Sequence, residues 1–308
     1  MTRFQSLAWI GLLVLGGCDT QPIAVVGFTS TTLDQGLLAH YTFDEDSGTT
    51  VHDHSGNGRD GVIAGSTWAW IADGQFGGAL HLGGASVTAP SDADALDGGA
   101  ADGGAADGSA GDAPSSDSAS DLGAGDASGG DYVWVDKFPN APPEFSVSAW
   151  VRTAEVPLSD AGGFQPVAST EVVFDAGWEL EVDTKTGMAL GAHFGFWEGW
   201  GVTSSGYDSQ ECLCLPQDQW THIVAVVDSA GSTLSLYVAD QLVEQTTVQH
   251  PILPGSAILY MGTWTGDFAS PPAPRYLVGD IDDVAIYGRA LQAAEVQQLG
   301  IHSPPDPP

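Results

Sequence analysis

Residues 276–291 read Tyr-Leu-Val-Gly-Asp-Ile-Asp-Asp-Val-Ala-Ile-Tyr-Gly-Arg-Ala-Leu. Ile281, Val284, Ile286 and Tyr287 form a strongly β-prone run, yet two adjacent carboxylates, Asp282 and Asp283, stand inside it. Side chains on a strand alternate between faces, so one Asp can meet solvent while the other turns inward. An inward carboxylate needs hydrogen-bond donors or a cation. This segment therefore predicts a strand with a built-in partner for a buried acid.

Other segments carry the same strand signal. Leu38–Phe43, Phe76–Leu82, Phe145–Arg152, Gly177–Asp183, Trp220–Asp228 and Leu234–Val243 alternate or run apolar, with turn clusters such as Asp53–Gly61 between them. Ala290–Leu299, ending at Gly300, is the one helical piece the pattern predicts. Residues 91–131 break away from this pattern. They are almost all Ala, Gly, Ser and Asp, with ten Asp, no basic residue and only Leu96 and Leu122 as large apolar side chains. Such a segment buries too little apolar surface to offset chain entropy, so it is expected to be a disordered insertion.

The motifs Tyr41-x-Phe43-Asp44, Asp53-x-Ser55-Gly56-Asn57-Gly58, Phe76-Gly77-Gly78-Ala79-Leu80, Phe145-Ser-Val-Ser-Ala-Trp-Val151, Trp220-x-His222 and Gly279-x-Ile281-Asp-Asp-Val284-x-Ile286-Tyr287-x-Arg289-Ala-Leu291 occur in one order. Together they resemble the LamG-like, concanavalin A-like family. The resemblance implies an all-β, antiparallel β-sandwich jelly roll over residues 36–300, carrying the 91–131 insertion, and a non-catalytic extracellular binding module. One departure is Asp240-Gln241, which stands where the family usually has Asp-Gly. Related jelly rolls often hold a structural calcium ion between their first and last strands. Asp282 is the best candidate ligand and Asp44 a weaker one, because calcium takes six to eight oxygens and backbone carbonyls can supply the rest.

The N-terminus gives an address. Arg3 precedes an apolar run from Leu7 to Leu15 that is too short to span a bilayer, followed by Gly16, Gly17 and Cys18. Leu15-Gly-Gly-Cys18 resembles the lipobox of bacterial lipoproteins. That implies a signal peptide over 1–17, lipid on Cys18, a tether over 18–35 and a place in the bacterial cell envelope, held to the membrane by the lipid anchor alone. The remaining cysteines, Cys212 and Cys214, lie one residue apart; in an oxidising compartment a small-ring disulfide is the expected state. Residues 301–308 form a Pro-rich tail.

Seven Lys+Arg against 40 Asp+Glu give a formal net charge of −33. Phosphate repulsion makes nucleic acid a poor partner; a glycan, an extracellular protein or a divalent cation suits the charge better. Glu179, Glu181 and Asp183 share one strand face, which resembles the catalytic strand of retaining β-glucanases on the same fold. Against a glycoside hydrolase, the order of acids differs from the family's, and a solvated polar face opposite Trp178, Leu180 and Val182 accounts for the same pattern. His193-Phe-Gly-Phe-Trp197-Glu-Gly-Trp200 is dense in aromatics. Trp197 and Trp200 are candidates for stacking on sugar rings, and packing in the sandwich core is the other reading. A structural or adhesive envelope role remains the third functional class.

Overall fold

The computed structural model describes residues 33–83, 130–153, 164–170, 176–184, 190–197, 202–207, 215–230, 232–248, 253–264 and 275–304. Cys18, the 84–129 part of the Ala/Gly/Ser/Asp-rich segment, Trp200, Cys212 and Cys214 lie outside the described residues. In chain order the described elements are β1 (Leu37–Tyr41), β2 (Thr50–Val51), β3 (Gly61–Ala64), β4 (Ala69–Ile71), β5 (Ala79–Gly83), β6 (Tyr132–Asp136), β7 (Phe145–Thr153) and β8 (Phe164–Ser169). They continue with β9 (Trp178–Thr184), β10 (Leu190–Trp197), β11 (Val202–Tyr207), β12 (Thr221–Asp228), β13 (Thr233–Val238), β14 (Gln241–Thr247), β15 (Ile258–Met261), β16 (Val278–Tyr287) and α1 (Ala293–Leu299).

Two antiparallel sheets result. One runs β14-β13-β12-β7-β16-β5-β4, with β1 also on β16; the other runs β11-β10-β9-β8-β15-β6-β3-β2. Period-two alternation puts Val147, Ala149, Val151, Ile223, Ala225, Leu234 and Leu236 of the first sheet into one core with Val133, Trp178, Leu180, Val182, Phe194 and Phe196 of the second. The expected all-β, antiparallel β-sandwich is therefore present.

The outer face of the first sheet is also covered. Val224, Val226, Tyr237, Ala285 and Tyr287 pack with Leu291, Val296 and Leu299 around α1. The helix starts where Gln292 N–H donates to Glu295 Oε2 at 2.8 Å, while Arg289 grips both oxygens of the buried Glu295 at 2.8 and 2.7 Å. Arg289-Ala-Leu thus joins the last strand to the helix that seals it.

The Asp282-Asp283 pair departs from simple alternation. Between Asp282↔Trp150 and Ala285↔Ser148 the register gains one residue, and Asp283 takes φ 51. At this β-bulge both acids are buried, at 0% and 4% exposure, in place of the expected one facing solvent and one buried. Asp283 Oδ1 lies 2.7 Å from His40 Nε2 and accepts from Ser303 Oγ at 2.6 Å, which ties the start of the C-terminal tail to the sheet. Asp131, the last residue of the expected insertion, belongs to the folded body. It is 1% exposed and accepts N–H bonds from Ser66, Thr67 and Gly83.

The β13–β14 turn explains the missing Asp-Gly. Ala239 (φ 46) and Asp240 (φ 63) are both left-handed, as a two-residue hairpin turn requires. An Ala there is strained, so Ala239→Gly is expected to stabilise the domain by about 0.5–1 kcal/mol in denaturant unfolding. An unchanged or lower midpoint would mean that the turn has relaxed to another conformation.

Candidate binding face

The outer face of the second sheet gathers the chemistry. Glu179 and Glu181 point away from the core, as β9 alternation demands, while Trp178, Leu180 and Val182 are buried on the other side. The glutamates are not solvated: they are 7% and 5% exposed. Arg275, from the segment before β16, reaches both, at 3.4 Å to Glu179 Oε2 and 3.2 Å to Glu181 Oε2. His193 Nδ1, directly opposite on β10, lies 2.9 Å from Glu181 Oε1. The guanidinium also stacks on Trp264, 4.3 Å from its ring centroid. The result is a ladder, His193–Glu181–Arg275–Glu179, resting on a buried indole.

Beside the ladder lies an aromatic row. Tyr132 stacks on Tyr276 with centroids 6.4 Å apart and meets Tyr260 at 6.1 Å. Trp134 pairs across the sheet with Tyr260 and Val62. Tyr132, Trp134 and Tyr276 are half-buried, whereas Tyr260 is 4% exposed and its hydroxyl is pushed up to about 12 by burial and then by Tyr132. Gly130 permits this arrangement: a Cβ there would sit 2.4 Å from the Tyr276 ring. Half-buried rings next to a fixed guanidinium and imidazole can stack on the C–H faces of a sugar and bond its hydroxyls.

The aromatic-rich segment divides between faces. Phe194 and Phe196 fill the core, His193 joins the ladder, and Trp197 ends β10 opposite Val202. Asp183 sits on β9 opposite Gly191. Glu179 and Glu181, the nearest pair to a hydrolytic couple, share one guanidinium. Glu179 Oε2 and Glu181 Oε2 face Arg275, and Glu181 Oε1 faces His193. Arg275 was not singled out by sequence pattern. The signal for it was composition: a chain with seven basic residues and 40 acids rarely leaves a cation without a carboxylate.

A second constellation lies at the other sheet. Ser148 Oγ is 2.8 Å from His222 Nε2, and His222 Nδ1 is 2.6 Å from Asp240 Oδ1. This has the connectivity of a nucleophilic triad, yet Ser148 is 2% exposed and does not line the neighbouring cavity. A substrate there would meet the imidazole and the carboxylate without the hydroxyl.

Asp282 and Asp44 meet at the loop before β5. Asp282 Oδ2 accepts from Phe76 N–H at 2.9 Å, and Gln75 N–H also bonds the carboxylate. Asp282 Oδ1 is buried with no hydrogen-bond partner among the described residues. Burial raises its pKa to about 7; the Phe76 and Gln75 bonds oppose this, while Asp283 and Asp44 add to it. Asp44 is exposed and accepts from Gly78 N–H at 2.5 Å. No group of three or more His, Cys, Asp or Glu among the described residues is arranged to hold a metal ion. The orphaned Oδ1 fits a calcium ligand, and most of the remaining ligands would then be backbone carbonyls.

The sequence matches the family model of the concanavalin A-like lectin/glucanases superfamily over residues 127–297, and the chain belongs to that superfamily. Among solved structures it is similar to the binding domain of Paraclostridial Mosquitocidal Protein 1, with TM-score 0.55 and 14% identity over 87% of this chain and 52% of that one. It is also similar to the binding domain of botulinum neurotoxin DC in complex with rat synaptotagmin II, with TM-score 0.53 and 14% identity over 87% and 52%. A third is a botulinum neurotoxin type C structure tied to cell entry through two ganglioside molecules, with TM-score 0.55 and 12% identity over 88% and 52%. At these identities the likeness is one of fold, and the chain spans about half the length of these structures. No curated protein matches the sequence significantly.

Proposed function

We propose that this chain is a non-catalytic, lipid-anchored module of a bacterial cell envelope that binds a glycan on the outer face of its second sheet. The observation that carries the reading is the half-buried row of Tyr132, Trp134 and Tyr276 beside an Arg275 held in place by two buried glutamates. The fold neighbours support a binding role: two are binding domains, one of them in complex with rat synaptotagmin II, and cell entry of the third depends on two ganglioside molecules. An extracellular protein is the alternative ligand for the same face. Trp134→Ala removes a ring without touching the ladder. It is expected to weaken glycan binding by roughly tenfold, about 1.4 kcal/mol, in calorimetric titration of residues 19–308. Unchanged affinity would move the ligand off this face.

The envelope address rests on Cys18 after Leu15-Gly-Gly. No described helix is long and apolar enough to cross a membrane. Acyl chains contribute about 0.8 kcal/mol per buried methylene, so several of them anchor a chain stably. Mass spectrometry of the membrane form should find the mature chain beginning at acylated Cys18. A Met1 terminus or an unmodified Cys18 would end the lipoprotein reading. Calcium, with Asp282 Oδ1 and Asp44 as its carboxylate ligands, is the structural cofactor in this account.

A further inference from the structure

A cavity of about 260 Å³ opens where β7, β12 and the β13–β14 turn of the first sheet meet. Its walls are mostly apolar, from Trp150, Trp220, Pro216, Val238 and Val243, and one carboxylate, Asp240, enters them. That carboxylate is fixed in place. Asp240 Oδ1 lies 2.6 Å from His222 Nδ1, and His222 is held in turn by Ser148 Oγ at 2.8 Å and by the stacked ring of Trp150 at 5.1 Å. The left-handed turn at Ala239 and Asp240 sets its direction, and Gly300 packs so close that a Cβ there would lie 2.2 Å from its oxygens. Yet half of the group is unused. No hydrogen bond among the described residues reaches Asp240 Oδ2, and the side chain keeps 26% exposure. Among the described residues its one ion-pair partner is His222.

Trp220 carries the second observation. It is half-buried, and the Arg152 guanidinium packs 4.8 Å from its ring centroid, so this indole already serves as a platform for a cation. Arg152 does not line the cavity; Asp73 and Asp280 hold it at 2.8 and 2.7 Å. It therefore leaves Asp240 without a counter-charge. The field of a chain with 40 acids and seven Lys+Arg draws further cations toward such a place.

From this combination we infer that the cavity is a second ligand site, one for a primary alkylammonium ion. The ammonium donates to Asp240 Oδ2, and the aliphatic stem lies along the indole and aliphatic walls. The chemistry selects among ligand classes. A carboxylate or phosphate would meet Asp240 with like charge, and a neutral ligand would leave the carboxylate unpaired. A quaternary ammonium has no N–H for Oδ2. A divalent metal ion would find one carboxylate among apolar walls, where it needs six or more oxygens. The group can be carried by a free amine or by the lysine side chain of a peptide. With one charged contact and a short apolar stem the site is weak, with Kd on the order of 1–10 mM.

Calorimetric and NMR titration of residues 19–308 at fixed ionic strength tests this. The ligands are n-pentylammonium chloride, Nα-acetyl-lysine methylamide, choline chloride and 1-pentanol. Saturable single-site binding of n-pentylammonium is expected, with choline and 1-pentanol at least tenfold weaker. Comparable affinity for the lysine derivative assigns the site to a lysine side chain, and binding of n-pentylammonium alone assigns it to a free amine. Asp240→Asn keeps an acceptor for His222 and tolerates the left-handed turn, so it should leave melting nearly unchanged while weakening the amine by tenfold or more. If that variant does not fold, Gln241→Lys, from an exposed position on the rim, places a tethered ammonium beside Asp240 and should weaken the amine to the same degree. No saturable binding of either amine, equal binding of choline or 1-pentanol, or undiminished binding in the folded variant overturns the inference.

Discussion

In chelator, the stability of the wild-type domain relative to Asp282→Asn is expected to fall as pH rises from about 4 to about 7. Asp282 is buried, and burial pushes its pKa up from the ordinary 3.8 to about 7. A carboxyl with a raised folded pKa binds its proton more tightly in the native state than in the unfolded chain. Its stabilising contribution is therefore complete below the unfolded value and is lost as pH climbs through the folded one. Burial sets the size of the effect, and Asp283 and Asp44 add to it against the Phe76 and Gln75 bonds. A shift of this size corresponds to a difference on the order of 4 kcal/mol. Above pH 7, calcium is expected to return part of that loss: a ligand that binds only the native state adds about 2.7 kcal/mol at a hundredfold excess over Kd. Urea unfolding across pH, with and without calcium, checks both claims. A wild-type and variant difference that is flat with pH would remove the titration argument, and melting unaffected by calcium would remove the ion.

The second large effect belongs to Arg275. Its guanidinium bonds two buried glutamates, so Arg275→Ala removes the cation that both carboxylates share. Breaking a buried ion pair from one side costs about 3–5 kcal/mol, because the stranded charge stays desolvated. Arg275→Ala is expected to lose about that much stability, and glycan binding with it. Neutralising the stranded acids should reverse most of the damage, so Arg275→Ala with Glu179→Gln and Glu181→Gln should melt well above Arg275→Ala alone. Equal melting of the single and triple variants would show that the ladder is not an electrostatic unit.

The fold was legible because the signals that define it are local. Alternation in Phe145–Arg152 and Trp220–Asp228, the Gly-rich turns and the order of motifs fall where β7, β12 and their neighbours stand. Two details were misjudged for one reason: alternation says which face a side chain takes, not what covers that face. Glu179 and Glu181 point outward as expected, yet Arg275, distant in sequence, covers them. Asp282 and Asp283 were expected to diverge, and at the single residue inserted in the ladder both are buried, Asp282 against the loop at Phe76 and Asp283 against His40 and Ser303. The cavity was invisible for a related reason. Trp150, His222 and Asp240 come from β7, β12 and a hairpin turn, and only the pairing of β7 with β12 brings them together. By contrast, Asp282 was recognisable at once, because an acid in an apolar strand is anomalous wherever the strand goes.

In the function proposed above, this superfamily member binds a glycan through the aromatic row and Arg275 without cleaving it. A glycan array probed with soluble residues 19–308, followed by product analysis of each bound glycan, separates binding from cleavage. Retention of at least one glycan class is expected, with loss of that signal in Trp134→Ala and in Arg275→Ala and recovery of the bound glycan intact. Binding to no glycan, or release of shortened products that stops in Glu179→Gln, would contradict it.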